Sequence, residues 1–597
     1  MERWIMRGSR TARVLSRVIP AWGLLAGLGG SGCSLQRGAP CPVRAHPSGP
    51  DLVIINGLVW TGAERASHAA MPEPTAVAVR DGRITDVGSD LSIWRHVDPR
   101  TTIIDAGGRR IIPGITDSHT HVISGGYQLV RLNLRDLKNR EEFVRAIADE
   151  AKTKRPGEWV LGGRWTVESW EHPESPNKAW IDLVTGDVPV FLNRMDGHSA
   201  LVNSAALKLA GIDASGPPDP TGGEIERDPQ TGEPTGILKE SAMNLVGRHV
   251  AAAEPAERYA EGIDAPTADY DALKRAMRHA NSLGVTSVHD MCSPEHLDAF
   301  RRAEKEGVIT LRVTAYLSTS DWPAFVGRLA DYGPDTDWVR LAGFKGYMDG
   351  SLGSRTAYMR EPFTDATPDM PYPRGQLTAF ADPIERFQAM VAMVDAHGRQ
   401  MAVHAIGDMG NHLLLNAYEH AMAANGRHDA RHRDEHTQHL LVSDIPRIAK
   451  LGVVASMQPY HKADDGRYAE KALGSERLKG SYAFRQLLDA GALLVFGSDW
   501  PVVSMNPFLG IDSAVNARTL DGSVWLPSHS LTVEEALRAY TVSPPKAIHR
   551  EDRLGTIEPG RLADLVILDE DPLTIPKERL GEVTVWKTLV GGRVVYP

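Results

Sequence analysis

The sequence predicts an α/β protein: a closed (β/α)₈ TIM barrel with a small β-sandwich built from both termini and an insertion after the first barrel strand. Eight short apolar stretches alternate with helical patterns through the middle of the chain, as parallel strands and crossover helices do. Runs rich in β-branched residues occur near both ends, and a long segment without this alternation follows the first stretch. The length of 597 residues is sufficient for a large barrel with an accessory domain.

The eight apolar stretches have the length and composition of buried parallel strands. In chain order they are 115–121, 284–290, 311–317, 340–346, 400–404, 433–437, 453–458 and 493–499. Helical patterns follow several of them, for example over 384–397, and Thr532 begins a capping box that opens a helix over 533–540. Eight such strand–helix units close into a barrel, and we predict that residues 114–553 form it.

The two ends of the chain carry short β-branched runs that predict the halves of one β-sandwich. The first half covers residues 51–113 and includes Asp81-Gly82, a pair that favours a tight hairpin because both positions tolerate positive φ. The second half covers residues 554–597 and also consists of short runs rich in β-branched residues. Two unrelated hairpins are the alternative, but one joint sandwich is the more economical interpretation.

The segment over 123–283 is far longer than a single crossover between parallel strands requires. It contains a helical pattern over 141–152 and several glycine-rich turns. We therefore predict an inserted subdomain that lies over the mouth of the barrel.

Residues 1–33 have the composition of a bacterial export signal. Five arginines precede an apolar stretch over 18–28, which is too short to cross a bilayer as a stable helix. Small residues then lead to Cys33, which resembles the lipidated first residue of a mature lipoprotein. We expect an exported protein, periplasmic or anchored by a lipid on Cys33 and otherwise secreted, with residues 34–50 as a linker. A plain secretory signal and a start codon assigned too early are the alternatives.

Charge and cysteine content narrow the classes of partner and metal site. The formal net charge of −10 provides no basic surface for nucleic acid. The three cysteines, Cys33, Cys41 and Cys292, are too few for a disulfide framework or a thiolate metal cluster. A bound metal would therefore need histidine, carboxylate or modified lysine ligands. We expect a small-molecule substrate and no membrane contact except through the lipid anchor, and a homodimer is left open.

Polar side chains stand near the ends of five predicted barrel strands, at the edge where barrel active sites are built. In order of strand they are His119, His121, Lys345, His404, His436 and Asp499. Each has a structural alternative: a chance histidine pair, a lysine paired with Asp349, a hydrogen-bonded core histidine or a helix cap. Together they make a complete two-metal site of nitrogen and oxygen ligands, suited to Zn²⁺ or a similar ion. Burial would also lower the pKa of Lys345 and favour the neutral amine, which can add CO₂.

The order of these residues resembles that of the amidohydrolase superfamily. More specific motifs resemble the branch typified by N-substituted formamide deformylase, and they extend over nearly the whole chain after residue 51. The motifs are Pro-Gly-Ile-Thr-Asp-Ser-His-Thr-His at 113–121, Asp-Gly-Ser-Leu-Gly-Ser-Arg-Thr-Ala at 349–357, His-Ala-Ile-Gly-Asp at 404–408, Gln-Pro-Tyr-His at 458–461 and Gly-Ser-Asp-Trp-Pro at 497–501. Two positions depart from the pattern, because Asp434 stands where an aliphatic residue is usual and Tyr460 where a smaller one is common.

The resemblance implies two divalent metal ions, with Zn²⁺ as the expected metal. It implies that His119 and His121 bind the more buried ion, with Asp499 alongside. It implies that His404 and His436 bind the more exposed ion.

The resemblance also implies that a CO₂-derived carbamate on Lys345 bridges the two ions. The implied function is hydrolysis of a non-peptide C–N bond in a small molecule by a shared hydroxide, with Asp499 as general base and then general acid. An esterase, a lactonase or a deaminase would use the same centre. A non-catalytic scaffold or a solute-binding lipoprotein agrees less well with a complete set of ligands.

Three further residues are candidates for substrate binding. His198 lies in the insertion, Arg355 follows the fourth strand and His461 follows the seventh. Each has the alternative role of a hydrogen-bonded loop residue. His432 and His439 also lie close to the ligand predicted on the sixth strand and are alternatives to it.

Overall fold

The computed structural model describes residues 49–64, 73–168, 170–253, 267–318, 326–327 and 329–597. The expected signal with Cys33 and nearly all of the expected linker lie outside these residues, and those predictions stay predictions. Among the helices of the described ranges, none combines the length and the apolar composition that a membrane span requires.

Strands from both ends of the chain form two sheets around one small core. The strands are β1 (Leu52–Ile55), β2 (Leu58–Val59), β3 (Ala76–Arg80), β4 (Arg83–Gly88), β5 (Thr102–Asp105), β6 (Arg110–Pro113), β21 (Leu565–Leu568), β22 (Val585–Val590) and β23 (Arg593–Tyr596). The sheet orders are β4-β3-β1-β5 and β2-β6-β21-β22-β23, so the second sheet joins strands from the two ends. Ile54, Val79, Ile111 and Ile567 share the core, and the predicted sandwich is confirmed.

The centre of the molecule is a barrel of parallel strands. The strands are β7 (Ile115–Thr120), β14 (Val285–Cys292), β15 (Arg312–Ser318), β16 (Val339–Tyr347), β17 (Gln400–Ala405), β18 (Arg433–His436), β19 (Val454–Met457) and β20 (Leu493–Phe496). They are hydrogen-bonded in sequence order, and a parallel bridge from Thr120 to Trp500 joins the first strand to the end of the last. The predicted barrel is confirmed, with each strand at a predicted stretch.

The insertion lies between β7 and β14 and contains a sheet of its own. Its strands are β8 (Leu132–Asn133), β9 (Val160–Trp165), β10 (Val190–Arg194), β11 (Ser199–Val202), β12 (Gly223–Arg227) and β13 (Pro234–Glu240). They are ordered β12-β13-β11-β10-β9-β8. Phe143, Trp165, Trp170 and Leu192 pack in a core beside this sheet, so the insertion has an apolar centre separate from that of the barrel.

Helices surround the barrel and the insertion sheet. In the described residues the α-helices are Asp90–Trp94, Val122–Gln128, Arg140–Ala151, Lys178–Thr185, Ser204–Ala210, Met243–Ala253, Thr267–Ser282, Pro294–Lys305, Ile384–Ala396, Asp408–Asn425, Ile445–Leu451, Pro459–Asp465, Ala469–Leu473, Phe484–Asp489, Pro507–Asn516, Val533–Tyr540 and Ser543–Ala547. Short 3₁₀ turns occupy Leu329–Tyr332, Val442–Asp444, Arg477–Gly480, Pro527–His529 and Lys577–Glu582. The capping box at Thr532 is present, with the Glu535 side chain bonded back to the Thr532 backbone.

Candidate metal centre

Side chains from the first, fourth and eighth barrel strands meet at the C-terminal edge of the barrel. The Asp499 carboxylate lies 3.2 Å from the Nε2 atom of His121 and 3.6 Å from that of His119. The Nζ atom of Lys345 lies 3.3 Å from Nε2 of His119. His121 stands just beyond the end of β7, at the start of the helix Val122–Gln128, so the turn out of the strand and the strand itself supply the histidine pair.

The fifth and sixth strands add two more histidines to this group. The ring centroids of His404 and His436 are 4.4 Å apart, and those of His119 and His436 are 4.8 Å apart. One donor atom each from His119, His436 and Asp499 lie within 4.8 Å of one another. The six residues predicted from the strand ends therefore meet in one place.

Each of the four histidines has one ring nitrogen engaged by a protein acceptor. Nδ1 of His119 bonds the Glu435 carboxylate at 2.6 Å, and Nδ1 of His121 bonds the Met291 carbonyl at 2.9 Å. This engagement leaves the second nitrogen of each ring for a metal, which is the usual arrangement of ligating histidines.

The other two rings are held in the same way. Nδ1 of His436 lies 2.7 Å from the Gln458 side-chain oxygen, and Nε2 of His404 lies 3.0 Å from the Gly350 carbonyl. A φ of 81° at His436 turns the backbone at the end of β18. The donor set, with nitrogen and carboxylate ligands and engaged outer nitrogens, fits a divalent metal ion of the borderline type.

A buried ion pair beneath the histidines escaped the sequence analysis. Glu435 accepts hydrogen bonds from His119 and, at 2.5 Å, from Nε of Arg433. Arg433 also bonds the Ser118 carbonyl at 2.6 Å and the Ser456 hydroxyl at 2.8 Å. The Arg433 guanidinium and the His119 ring hold the pKa of Glu435 well below its usual value against the effect of burial. A signal existed in the sequence, since residues 433 and 435 alternate on one strand and share a side of the sheet.

Lys345 is buried at the base of this group. Burial lowers the pKa of its amine to about 8, even though Glu435 and Asp499 favour the charged form. The alternative partner, Asp349, instead accepts backbone hydrogen bonds from Tyr358 at 2.7 Å and from Gly407 at 2.8 Å. Burial of Lys345 thus enlarges the fraction of neutral amine, the form that reacts with CO₂, relative to an exposed lysine.

The donor atoms face a cavity of about 250 Å³ between the barrel and the insertion. Its lining includes His119, His121, Arg164, Asp196, His198, Lys345, His404, His436 and Asp499. A second cavity adjoins it and is also lined by His198, His404, His436 and Asp499, together with His461 and residues 351–353. The insertion therefore supplies part of the wall, as the sequence analysis expected of a subdomain over the barrel mouth.

Two of the three predicted substrate-binding residues lie at these cavities. Burial opposes the charged form of His198, but the Glu240 carboxylate, 3.0 Å from Nδ1, raises its pKa to about 9. His461 lies with its buried Nε2 atom 4.0 Å from Asp499, and this nitrogen has no hydrogen-bond partner within the described residues. Arg355 lies apart from them, with its guanidinium 2.7 Å from the Asp365 carboxylate.

The two alternative histidines on the sixth strand have other partners. Nε2 of His432 lies 2.9 Å from the Asp395 carboxylate, and Nδ1 of His439 lies 2.8 Å from the Ser481 hydroxyl. His436 is therefore the histidine of this segment whose ring lies against His404 and His119.

A closed parallel barrel with histidine, lysine and aspartate side chains gathered at the C-terminal edge of its strands defines a hydrolase that depends on a divalent metal. The chain belongs to the Amidohydrolase family, whose sequence pattern matches residues 102–596. The superfamily predicted from the strand-end residues is confirmed.

Known proteins resemble the chain over most of its length. Protein LONG AFTER FAR-RED 3 of Arabidopsis thaliana is 36% identical over 561 residues, covering 92% of each chain. The N-substituted formamide deformylase of Arthrobacter pascens is 29% identical over 563 residues, covering 92% of this chain and 98% of its own. The crystal structure of a metal-dependent hydrolase from Pyrococcus furiosus superposes with a TM-score of 0.65 at 28% identity, covering 88% of this chain and 100% of its own.

Proposed function

We propose that the chain hydrolyses a non-peptide C–N bond of amide type in a small molecule. The observation that carries this proposal is the convergence of histidine, lysine and aspartate side chains on one cavity at the C-terminal edge of the barrel. The likeness to N-substituted formamide deformylase favours a C–N bond over the ester and lactone alternatives.

The proposed cofactor is a pair of divalent ions, with Zn²⁺ as the expected metal. The residues that would hold them are His119, His121, Lys345, His404, His436 and Asp499. Bound ions of this kind lower the pKa of a water molecule and polarise a carbonyl group. For Lys345 we propose a carbamate, formed when the neutral amine bonds to the carbon of CO₂ and releases one proton. A pKa of about 8 supports this step, because it provides neutral amine near pH 7.

Asp499 is the proposed general base. Burial alone would favour the neutral acid, but the neighbouring His119 and His121 rings hold its pKa well below the ordinary value, so the carboxylate is ionised. It can therefore accept a proton from the attacking water and pass that proton to the departing nitrogen, which leaves poorly unless it is protonated.

His198 and His461 are the proposed substrate-positioning residues. The Glu240 carboxylate keeps His198 protonated near neutral pH, and the imidazolium lines the cavity as a hydrogen-bond donor for an oxygen of the substrate. The buried Nε2 atom of His461 faces Asp499 from the adjoining cavity and can orient either that carboxylate or the substrate. Arg355 would act indirectly: its guanidinium bonds the Asp365 carboxylate and so holds the conformation of the loop between the two residues.

The test combines metal content with a substrate panel. Protein produced with zinc and bicarbonate is analysed by plasma mass spectrometry, and about two ions per chain are expected. The loaded protein is then assayed on N-substituted formamides, N-acyl amino acids, lactones and cyclic ureas. Hydrolysis confined to lactones would contradict the assignment of a C–N bond. Folded protein that takes up no metal on titration would contradict the whole proposal.

A further inference from the structure

Arg164, in strand β9 of the insertion, faces the cavity without a partner. It lines the 250 Å³ cavity together with His121, Lys345 and Asp499. Its Nε atom is buried and has no hydrogen-bond partner within the part of the chain that the structure describes. The Asp499 and Asp196 carboxylates favour its charged form, but neither forms an ion pair with it there. Arg164 is half-buried overall, and a buried nitrogen donor without a hydrogen bond is costly, so a ligand in the cavity is its natural acceptor.

The backbone around Arg164 is shaped to direct this side chain. Gly163 of β9 pairs with Asn193 and Trp165 pairs with Arg194, so Arg164 is an extra residue in a β-bulge. Its φ is 60°, a conformation that costs energy in any residue other than glycine. Bulges next to active sites re-aim side chains in this way. The strained bulge in the insertion thus directs the Arg164 guanidinium into the wall of the cavity.

Two other charged groups in the cavity wall, Asp196 and His198, have partners of opposite charge within the protein. Arg194 lies 2.5 Å from the Glu168 carboxylate and also pairs with Asp196, which lines the cavity. Arg135 does not line this cavity; it donates to the Val502 carbonyl at 2.6 Å, and its second terminal nitrogen has no hydrogen-bond partner within the described residues. Asp196 is therefore already paired and does not need Arg164. Burial lowers the pKa of Arg164 only to about 10, so it keeps its charge at neutral pH.

We propose that Arg164 binds a carboxylate of the substrate, which makes the substrate class small N-acyl compounds that carry an acid group, such as N-acyl amino acids. The planar guanidinium offers parallel N–H donors that match the two oxygens of a carboxylate. A cavity of about 250 Å³ has room for a small molecule of this kind. The proposal rests on the proposed function for the bond that is cleaved, but the carboxylate site can be tested without cleavage.

The binding test uses two sulfonamides that the enzyme cannot hydrolyse, N-methylsulfonylglycine and its neutral primary amide. Their affinities for the metal-loaded full chain are measured by calorimetry. The acid should bind about 100-fold more tightly than the amide, the effect expected of a desolvated charge pair. In Arg164→Gln this preference should disappear through weaker binding of the acid, while the affinity for the amide stays the same.

Arg145→Gln is the matched control, because Arg145 is an exposed arginine of the same insertion. This variant should bind both compounds as the wild type does. Arg164→Lys keeps the positive charge but lacks the two parallel N–H donors of the guanidinium, so it should retain part of the preference for the acid. It also serves as the test protein if Arg164→Gln does not fold. Equal affinities of the wild type for acid and amide would overturn the proposal.

Parallel rates on N-formylglycine and N-formylglycinamide separate this proposal from the proposed function. Cleavage of both at equal rates, unchanged in Arg164→Gln, would uphold amide hydrolysis and overturn the carboxylate site. Cleavage of neither, with the binding preference present in the wild type and lost in Arg164→Gln, would uphold the carboxylate site and count against amide hydrolysis.

Discussion

Replacing Glu435 by glutamine is expected to weaken both the fold and the metal centre. The Glu435 side chain is 0% exposed and bonds His119 on one side and Arg433 on the other. Glutamine keeps the size and shape of the side chain but removes the charge. The substitution therefore leaves the buried Arg433 guanidinium without its counter-ion and His119 without a charged acceptor at Nδ1.

The burial of both partners sets the size of the effect. Removing one member of a buried ion pair costs about 3–5 kcal/mol in the free energy of unfolding. The amide oxygen of glutamine can still accept one hydrogen bond, which places the expected loss near the lower value, about 3 kcal/mol. Loss of the carboxylate behind a ligating histidine lowers metal affinity by about 10- to 100-fold.

Two assays separate these effects. Urea unfolding of the metal-free protein measures the loss of stability, and competition with a chromophoric chelator measures the affinity for Zn²⁺. Glu476→Gln is the control, because Glu476 is paired with Lys479 but its side chain is 84% exposed. This control should change neither quantity measurably, since exposed ion pairs contribute little.

A double substitution sharpens the test. Arg433→Met combined with Glu435→Gln removes both charges, so it should recover part of the lost stability while the metal affinity stays low. Wild-type stability and wild-type metal affinity in Glu435→Gln would refute the claim that this ion pair supports the fold and orients His119.

Three further predictions concern catalysis, the lysine and the N-terminus. Asp499→Asn should abolish turnover on the best substrate while plasma mass spectrometry still finds most of the metal; turnover near that of the wild type would contradict its role as general base. If the proposed carbamate on Lys345 helps to hold two ions, Lys345→Met should lower the metal content from about two ions to about one. Wild-type protein loaded with ¹³C-bicarbonate should show a carbamate signal by NMR that Lys345→Met lacks, and its absence from the wild type would disprove the carbamate. We propose that the chain is exported as a lipoprotein with its lipid on Cys33. Cys33→Ser should then lose radiolabel from palmitate and move from the membrane fraction to the soluble fraction. Label retained in the variant would exclude Cys33 as the site of the lipid anchor.

The barrel was predictable because its strands carry a local signal. Stretches such as 311–317 and 400–404 are short, apolar and spaced by helical patterns, and the structure has strands Arg312–Ser318 and Gln400–Ala405 there. The hairpin at Asp81-Gly82 was predictable for the same reason, and both residues have the positive φ that such a turn requires, 52° and 72°. Each depends only on a few neighbouring residues and on steric rules that hold in any fold.

The gathering of the six ligand candidates was predictable once the barrel was assumed. Parallel strands bring their C-terminal ends to one edge, so strand-end residues that lie far apart in the chain become neighbours. His119 and Asp499 illustrate this, since Nε2 of His119 lies 3.6 Å from the Asp499 carboxylate although one residue stands on the first barrel strand and the other just after the last.

The partners of these residues depended on tertiary packing. Glu435 reaches across the barrel to a histidine 316 positions away, and Arg355 turns to Asp365 although its motif placed it with the substrate-binding candidates. Side-chain direction, and not position in a motif, decided both outcomes.

The sequence by itself determined the barrel, the sandwich shared by the two ends, and the residue types and chain order of the candidate metal ligands. These features follow from local periodicity and from the rule that the C-terminal ends of parallel strands lie at one edge of the barrel. Only the tertiary structure decided that Arg433 and Glu435 support His119, and that a bulge in the insertion directs Arg164 into the cavity. Those contacts join segments whose relative placement is set by the packing of whole elements. The alternation that puts residues 433 and 435 on one side of their strand does not identify His119 as their partner.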